Sequence, residues 1–189
     1  MLLRWYDTRI LPVWLDLLTT VQQKAFLTGI HQWQHLDRFG DFKEWVIPAM
    51  PDEKLSALPP LRLDQDQYAR LLDACEPDIA IAQLRRMMLD EMRRVPFRDL
   101  FPFISMHRED SRAHGVQQLD DHEQYLLLAL YTSGGFRRHP VVAARIAAHC
   151  DQSLEPFGEW VMALPAGVWK TGAPLWEGYS TKAAKNATT

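Results

Sequence analysis

"LDDHEQYLLLALYTSGGFRRHPVVAARI", residues 119–146, carries the clearest structural pattern in this chain. Its two aspartates can cap the start of a helix, because their carboxylates accept hydrogen bonds from the free amide groups of a first turn. The nearly unbroken apolar run that follows is typical of a helix buried on most sides. Gly134 and Gly135 end that helix, and Pro140 begins another, since proline is favoured at a first helical position. The stretch therefore predicts consecutive helices and a mainly helical fold.

The N-terminal part of the chain mixes strand and helix signals. Large side chains crowd residues 2–6, which predicts a buried strand, and Asp7 would then cap a helix. One face of that helix carries Leu11, Trp14, Leu15 and Leu18. Thr19 and Gln22 form a capping-box pair for a second short helix that stops near Gly29.

A β-hairpin is predicted over residues 30–47, "IHQWQHLDRFGDFKEWVI". Two runs rich in aromatic and apolar residues flank a turn at Phe39-Gly40-Asp41. The strand at residues 2–6 should pair with this hairpin or with a partner chain, because an uncovered apolar edge invites aggregation.

Helical signals dominate after a segment rich in proline. Asp64 and Gln67 form a capping-box pair that opens one helix, and Pro77 restarts the chain at the first turn of another. The side chains of the first helix that should face the core are Tyr68, Leu71 and Leu72. The second has apolar residues at spacings of three and four, which are Ile81, Leu84, Met88, Met92 and Val95. A further helix is predicted from about residue 102 to residue 114, ending at Gly115.

The predicted fold class is mainly α with a small β portion, an N-terminal strand plus a hairpin, followed by a multi-helix lobe. The strand, short helices and hairpin occupy residues 1–50, and a linker rich in proline occupies residues 51–63. The helical lobe then spans residues 64–163. Residues 164–189 are expected to be irregular and partly disordered, because glycine, proline and small polar residues dominate there.

Composition narrows the function classes. The net charge is only −3 and arginine clusters alternate with acidic residues, so no overall field favours nucleic acid. The only cysteines are Cys75 and Cys150, which lack the spacing of a zinc site, and they fit a reducing cytoplasm. No stretch approaches the roughly 20 apolar residues of a membrane span, and no signal peptide is evident. We expect a cytoplasmic protein that binds neither nucleic acid nor membranes.

No catalytic residue, cofactor or metal site is predicted. The candidate metal ligands are His31 and His35 with Glu44 or Asp37, and His107 with His114. On a strand, a separation of four residues spreads two histidines over roughly 13 Å, too far for one metal. Asp120, Asp121 and Glu123 could act as acid and base, although capping explains them more simply. No nucleophile elbow and no glycine-rich phosphate loop occurs.

Two further features bear on partner binding. Paired arginines could grip an acidic partner, or they could form a solvated face balanced by Asp90, Glu91 and Asp99, which is the favoured interpretation. They are Arg85 and Arg86, Arg93 and Arg94, and Arg137 and Arg138. Aromatic residues are dense in irregular regions, and this favours a protein-binding role. They are Trp33, Trp45, Phe97, Phe101, Phe103, Trp160, Trp169 and Trp176.

The order of motifs resembles the adaptor or chaperone family of the type VI secretion system, of the Tap or TEC kind. "LLRWYDTRIL" is similar to the family's strand-to-helix motif, with Thr8 where proline is usual. "HQWQHLDRFGDFKEW", "LRLDQDQY" and "YLLLALYTSGGFRRHPVVAARI" match its hairpin, its helical-lobe start and its late helices. The similarity covers roughly residues 2–150, without the family's usual N-terminal α/β lobe. The residues that match the first motif, with an expected structural role, are Arg4, Tyr6, Asp7 and Arg9.

The resemblance implies a non-enzymatic cytoplasmic adaptor that holds a toxic effector and helps load it onto the VgrG spike. It assigns no effector-contact residues. Two other function classes stay open from the sequence: an immunity-type or regulatory protein-binding domain, and, less favoured, a small hydrolase or metalloenzyme.

Overall fold

The computed structural model describes residues 7, 9–46, 61–116, 118–148 and 155–179. These residues are mainly helical with one small antiparallel hairpin, so the predicted fold class is confirmed. The chain forms two compact units, Met1–Glu76 and Pro77–Thr189, called unit 1 and unit 2 below. The predicted strand at residues 2–6, most of the predicted linker and the end of the predicted tail lie outside the described residues. The predicted division into four segments stays a prediction.

The first helices among the described residues of unit 1 are α1 (Leu11–Leu17) and α2 (Thr20–Phe26). The predicted apolar face of α1 is confirmed, since all four of its residues are buried: Leu11, Trp14, Leu15 and Leu18. Leu17, which was not predicted, is buried as well. The predicted capping box is confirmed as well. The Gln22 amide donates to Thr19 Oγ1 at 3.3 Å, and the Thr19 amide donates to Gln22 Oε1 at 2.8 Å.

The expectation that Asp7 caps α1 is wrong. The N-cap position of α1 is Ile10, which makes no side-chain capping bond. The Asp7 carboxylate instead accepts from the Arg9 amide at 3.0 Å and from the Arg9 guanidinium at 2.9 and 2.7 Å. The reason is distance along the chain, because α1 begins four residues after Asp7 and a capping side chain reaches only the next two or three amides.

The predicted hairpin is confirmed, with strands β1 (Gln32–Leu36) and β2 (Phe42–Val46). Trp33 lies opposite Trp45, and Leu36 lies opposite Phe42. The turn uses a positive φ of 81° at Gly40, a conformation that favours glycine. Asp37 Oδ1 accepts from the amides of Phe39 and Asp41 at 2.8 and 2.9 Å. Burial raises the pKa of Asp37, but these hydrogen bonds outweigh it and the pKa lies below its usual value.

Helix α3 (Gln65–Met87) opens as predicted and then continues further than predicted. The Gln67 amide donates to Asp64 Oδ1 at 2.8 Å, and the Asp64 amide donates to Gln67 Oε1 at 3.1 Å. The predicted restart at Pro77 is wrong, because this proline lies inside α3. A proline inside a helix costs about 3 kcal/mol. Helical residues are buried on both sides of it, and their packing offsets that cost.

The inward face of α3 in unit 1 also differs from the prediction. Leu71 is buried as expected, but Tyr68 and Leu72 are 46% and 50% exposed. The buried neighbour is Gln67, whose Nε2 donates to the backbone oxygen of Leu17 at 2.8 Å. Residues four apart share a helix face and each next residue is rotated by about 100°, so burying positions 67 and 71 turns 68 and 72 outward.

Unit 2 consists mainly of helices that follow the end of α3. They are α4 (Leu89–Arg94), α5 (Phe97–Ala113), α6 (Leu119–Thr132), α7 (Pro140–Ala147) and α8 (Phe157–Met162), with 3-10 helices at Gly135–Arg138 and Val168–Lys170. The predicted starts at Pro140 and ends at Gly115 and Gly134 are confirmed. None of the described helices is long and apolar enough to cross a membrane.

Two helix boundaries in unit 2 correct the predictions. The helix predicted through residue 95 breaks at Met88, whose φ and ψ are −141° and 59°. Its predicted inward residues are nevertheless all buried: Ile81, Leu84, Met88, Met92 and Val95. Helix α5 begins at Phe97 and carries Pro102 inside it, because burial of Leu100 brings the preceding turn into the core.

The segment at residues 164–179, predicted to be irregular, packs against the end of α6. Its Leu175 amide donates to the Leu130 carbonyl at 2.8 Å, and Ser133 Oγ donates to the Ala173 carbonyl at 2.7 Å. Val168 and Trp176 are buried. These contacts make the described part of the predicted tail an integral piece of unit 2.

Candidate functional site

The residues that carry the family resemblance have structural contacts where the structure describes them. Asp7 and Arg9 form the ion pair given above, at 2.7 Å. Arg38 Nη2, beside the hairpin turn, donates to the Arg9 carbonyl at 3.0 Å. Arg4 and Tyr6 lie outside the described residues. The segment before α1 therefore ties to the hairpin turn through Arg9.

The hairpin has one anchored face and one exposed face. Burial alternates along β1, as expected for a strand packed on one side. Trp33 and Trp45 pack against the apolar cluster of α1 and α3 in unit 1. On the other face, Leu36 and Phe42 are 52% and 62% exposed, although they lie opposite each other across the two strands. We call the exposed pair Leu36 and Phe42 the hairpin surface.

The aromatic residues predicted as partner-binding groups pack against the apolar clusters of their own units. Trp176 is a buried member of one cluster. The other seven are partly buried and pack against a cluster: Trp33, Trp45, Phe97, Phe101, Phe103, Trp160 and Trp169. Trp176 is only 7% exposed, and Tyr131 contacts it edge-to-face with ring centroids 5.0 Å apart. The large side chains offered to solvent are instead mostly aliphatic, with Phe42 as the most exposed aromatic among the described residues.

The histidines considered as metal ligands do not converge. Among the described residues, no group of three or more histidine, cysteine, aspartate or glutamate side chains is arranged to hold a metal ion. His31 is exposed and His35 half-buried on the hairpin. His107 is buried, whereas His114 is half-buried and its Nδ1 lies 2.6 Å from the Asp110 carbonyl oxygen.

Unit 2 contains a cluster around two buried polar side chains that the sequence did not predict. His107 and Tyr125 are 2% and 0% exposed, and neither ring nitrogen nor the hydroxyl has a hydrogen-bond partner among the described residues. His107 Nδ1 lies 3.7 Å from Asp110 Oδ2, which pairs with Arg137 Nη1 at 2.6 Å. We call these four residues the His107 cluster. The spacing of three between His107 and Asp110 was a sequence signal for part of it.

The geometry closes the imidazole of His107 to solvent. The centroid of its ring lies 4.4 Å from that of the Phe103 ring. A Cβ added to Gly134 would lie 2.9 Å from His107 Nε2. Burial lowers the pKa of His107, an effect that Arg137 reinforces and Asp110 opposes. Burial also raises the pKa of the Tyr125 hydroxyl, with Asp110 acting in the same direction. The surroundings of the ring thus favour the neutral form of His107.

Acidification is expected to destabilise the protein through His107. Its pKa in the folded state lies below the unfolded value of about 6.5, so the unfolded chain takes up the proton first. The contribution of His107 to the free energy of unfolding is therefore fully present above pH about 6.5. It is lost as the pH falls through the folded pKa, at a rate of at most about 1.4 kcal/mol per pH unit. Urea unfolding between pH 8 and pH 5 measures this, and His107→Gln should flatten the profile.

The exposed His31 supplies the control for that experiment. His31→Gln should keep the pH profile of the unsubstituted protein, because this side chain lies on the surface of the hairpin. A His107→Gln variant that retains the same decline in stability would contradict the role assigned to His107.

The other charged candidates are the acidic residues at the start of α6 and the paired arginines. Asp120 and Asp121 lie in the first turn of α6 as predicted, but that helix has no side-chain cap. The buried Asp121 carboxylate instead accepts from the amides of Phe157 and Gly158 at the start of α8. Asp120 is exposed and Glu123 half-buried. The paired arginines are exposed, and of these Arg137 forms the ion pair with Asp110.

A scan against protein-family models, a search of curated proteins and a search of solved structures find no match to this chain. The family resemblance is therefore carried by the motifs quoted above.

Proposed function

We propose that this chain is a non-enzymatic adaptor that binds a protein effector of the type VI secretion system and helps load it onto the VgrG spike in the bacterial cytoplasm. The observation that carries the binding role is the hairpin surface, where Leu36 and Phe42 are both more than half exposed. The motif resemblance supplies the class of partner.

The hairpin surface has the properties of a protein-binding element. Its two side chains are cross-strand neighbours, so they form one apolar patch rather than scattered exposed residues. The tryptophans on the opposite face pack against the unit 1 core, which holds the strands in place. A rigidly held apolar pair loses little conformational entropy when a partner covers it. Adjacent exposed apolar side chains of this kind are typical of protein-binding surfaces.

Removing the hairpin surface should weaken effector binding. Leu36→Ser combined with Phe42→Ser is expected to reduce the affinity for the effector at least about tenfold, because each apolar side chain contributes about 1.5–3 kcal/mol when fully buried. The measurement is co-purification with a candidate toxin effector from a neighbouring gene, followed by titration of the purified pair. VgrG is tested in the same way.

The matched control is Val21→Ser, an exposed apolar residue of unit 1 on α2 that should leave effector binding unchanged. Failure of the chain to bind either the effector or VgrG at micromolar concentration contradicts the proposal. Co-expression with the toxin distinguishes the immunity-type alternative, since an inhibitor would abolish toxicity by direct neutralisation and an adaptor would leave the toxin's activity intact.

A further inference from the structure

The junction between α3 and α4 exposes arginines beside apolar side chains. The sequence from residue 85 to residue 94, "RRMMLDEMRR", has four arginines and two carboxylates and contains no lysine. Met87 is 54% exposed and Leu89 is 44% exposed, on either side of the buried Met88. We call the exposed set the junction surface: Arg85, Arg86, Met87, Leu89, Arg93 and Arg94.

The backbone explains why the apolar residues are exposed. Met88 leaves helical geometry, with φ −141° and ψ 59°, and its side chain enters the apolar cluster of unit 2. Met92, one turn later, is fully buried in the same cluster. Met88 and Met92 therefore fix the junction to the core of unit 2, while Met87 and Leu89 remain exposed to solvent. A fixed backbone under exposed apolar groups favours binding, because little ordering is required.

The arginines of the junction surface outnumber the carboxylates of the same segment by four to two. Within the described residues, Arg86, Arg93 and Arg94 form no ion pair, and Arg85 lies over the Phe97 ring at 5.8 Å. Asp99, which the sequence suggested as a balancing charge, bonds through its side chain to Tyr179. The arginines lie in the last turns of α3 and α4, where their positive charges interact favourably with the negative ends of the helix dipoles. That role does not account for the exposure of Met87 and Leu89.

Arginine and methionine together are enriched in protein interfaces, whereas lysine is depleted. Guanidinium groups also bind carboxylates in a planar two-point geometry. We propose that the junction surface is a docking site for an acidic, apolar segment of a partner protein. This proposal does not depend on the hairpin surface or on the proposed function. A protein segment is favoured over nucleic acid or an anionic membrane because Asp90 and Glu91 lie within the junction and the whole chain has a net charge of −3.

Peptide binding by the full chain tests the proposal. The probe is a short fluorescent peptide of glutamate, leucine and phenylalanine, compared with a peptide in which lysine replaces every glutamate. Anisotropy should show binding of the acidic peptide only, and the affinity should fall as salt screens the exposed charges. Arg86→Glu combined with Arg93→Glu should weaken binding about tenfold. Met87→Ser with Leu89→Ser should weaken it by a similar factor.

The matched control is Arg70→Glu with Arg138→Glu, two exposed arginines outside the junction surface, which should bind as the unsubstituted chain does. Circular dichroism checks that each variant is folded. Absence of acidic-peptide binding, equal binding of the lysine peptide, or binding unaffected by the junction substitutions would overturn the proposal. Tighter binding to phosphatidylserine vesicles or to single-stranded RNA than to the acidic peptide would also overturn it.

Discussion

Gly172→Ala is expected to lower the free energy of unfolding by about 3 kcal/mol, because a side chain at this position has no space. A Cβ on Gly172 would lie 2.1 Å from the backbone oxygen of Thr132, at the end of α6. The clash involves backbone on both sides, so a change of rotamer does not relieve it. The segment that carries Val168 and Trp176 would have to move away from α6, and both of those side chains are buried.

Gly178→Ala is the matched control, since nothing lies within 4 Å of a Cβ at that position and its φ is not positive. Its unfolding free energy should stay within about 0.5 kcal/mol of the unsubstituted value. Urea denaturation of the two variants, followed by tryptophan fluorescence, makes the comparison. Equal stability of the two variants would show that residues 164–179 do not pack as described.

Asp121→Ala is expected to cost about 2–3 kcal/mol, because it leaves buried amide groups without an acceptor. Asp121 Oδ2 accepts from the Phe157 amide at 3.1 Å, and Oδ1 accepts from the Gly158 amide at 2.7 Å. Phe157 is buried at the start of α8, so water does not readily replace the carboxylate. The loss should loosen α8 from α6 and can be measured by amide hydrogen exchange and by urea denaturation.

Asp120→Ala removes the adjacent carboxylate from the same first turn and provides the control. Asp120 is exposed and its effect on α6 is limited to the helix dipole, about 0.3–1 kcal/mol. Similar losses for the two substitutions would contradict the cross-helix role of Asp121. Faster exchange at residues 157–162 only in Asp121→Ala would support it.

Predictions from adjacent residues were reliable where the stabilising contact is itself local. The capping boxes at Thr19–Gln22 and Asp64–Gln67 join residues three apart, and both form. The hairpin turn needs a positive φ at Gly40, which the residue type supplies. Such contacts are encoded within one turn of chain and do not depend on what packs around them.

The candidate sites were only partly predictable for the same reason. The hairpin that carries Leu36 and Phe42 was expected, but which of its side chains stay exposed depends on the face that packs against unit 1. The tryptophans that the sequence favoured for partner binding pack against the apolar clusters, and only the fold shows that Trp176 is buried while the others are partly buried. The sequence suggested His107 as a possible metal ligand and Gly134 as a helix end, and only the fold places the two residues side by side.

The sequence by itself determined the fold class, the hairpin, the two capping boxes, the helix start at Pro140 and the helix ends at Gly115 and Gly134. Only the tertiary structure decided that α3 continues through Pro77, that Asp121 caps α8, and that residues 164–179 pack against α6. The physical reason is the range of the interactions. Capping and turn formation involve neighbours along the chain, whereas helix continuity and side-chain burial depend on the free energy of packing against distant residues, which a linear pattern does not contain.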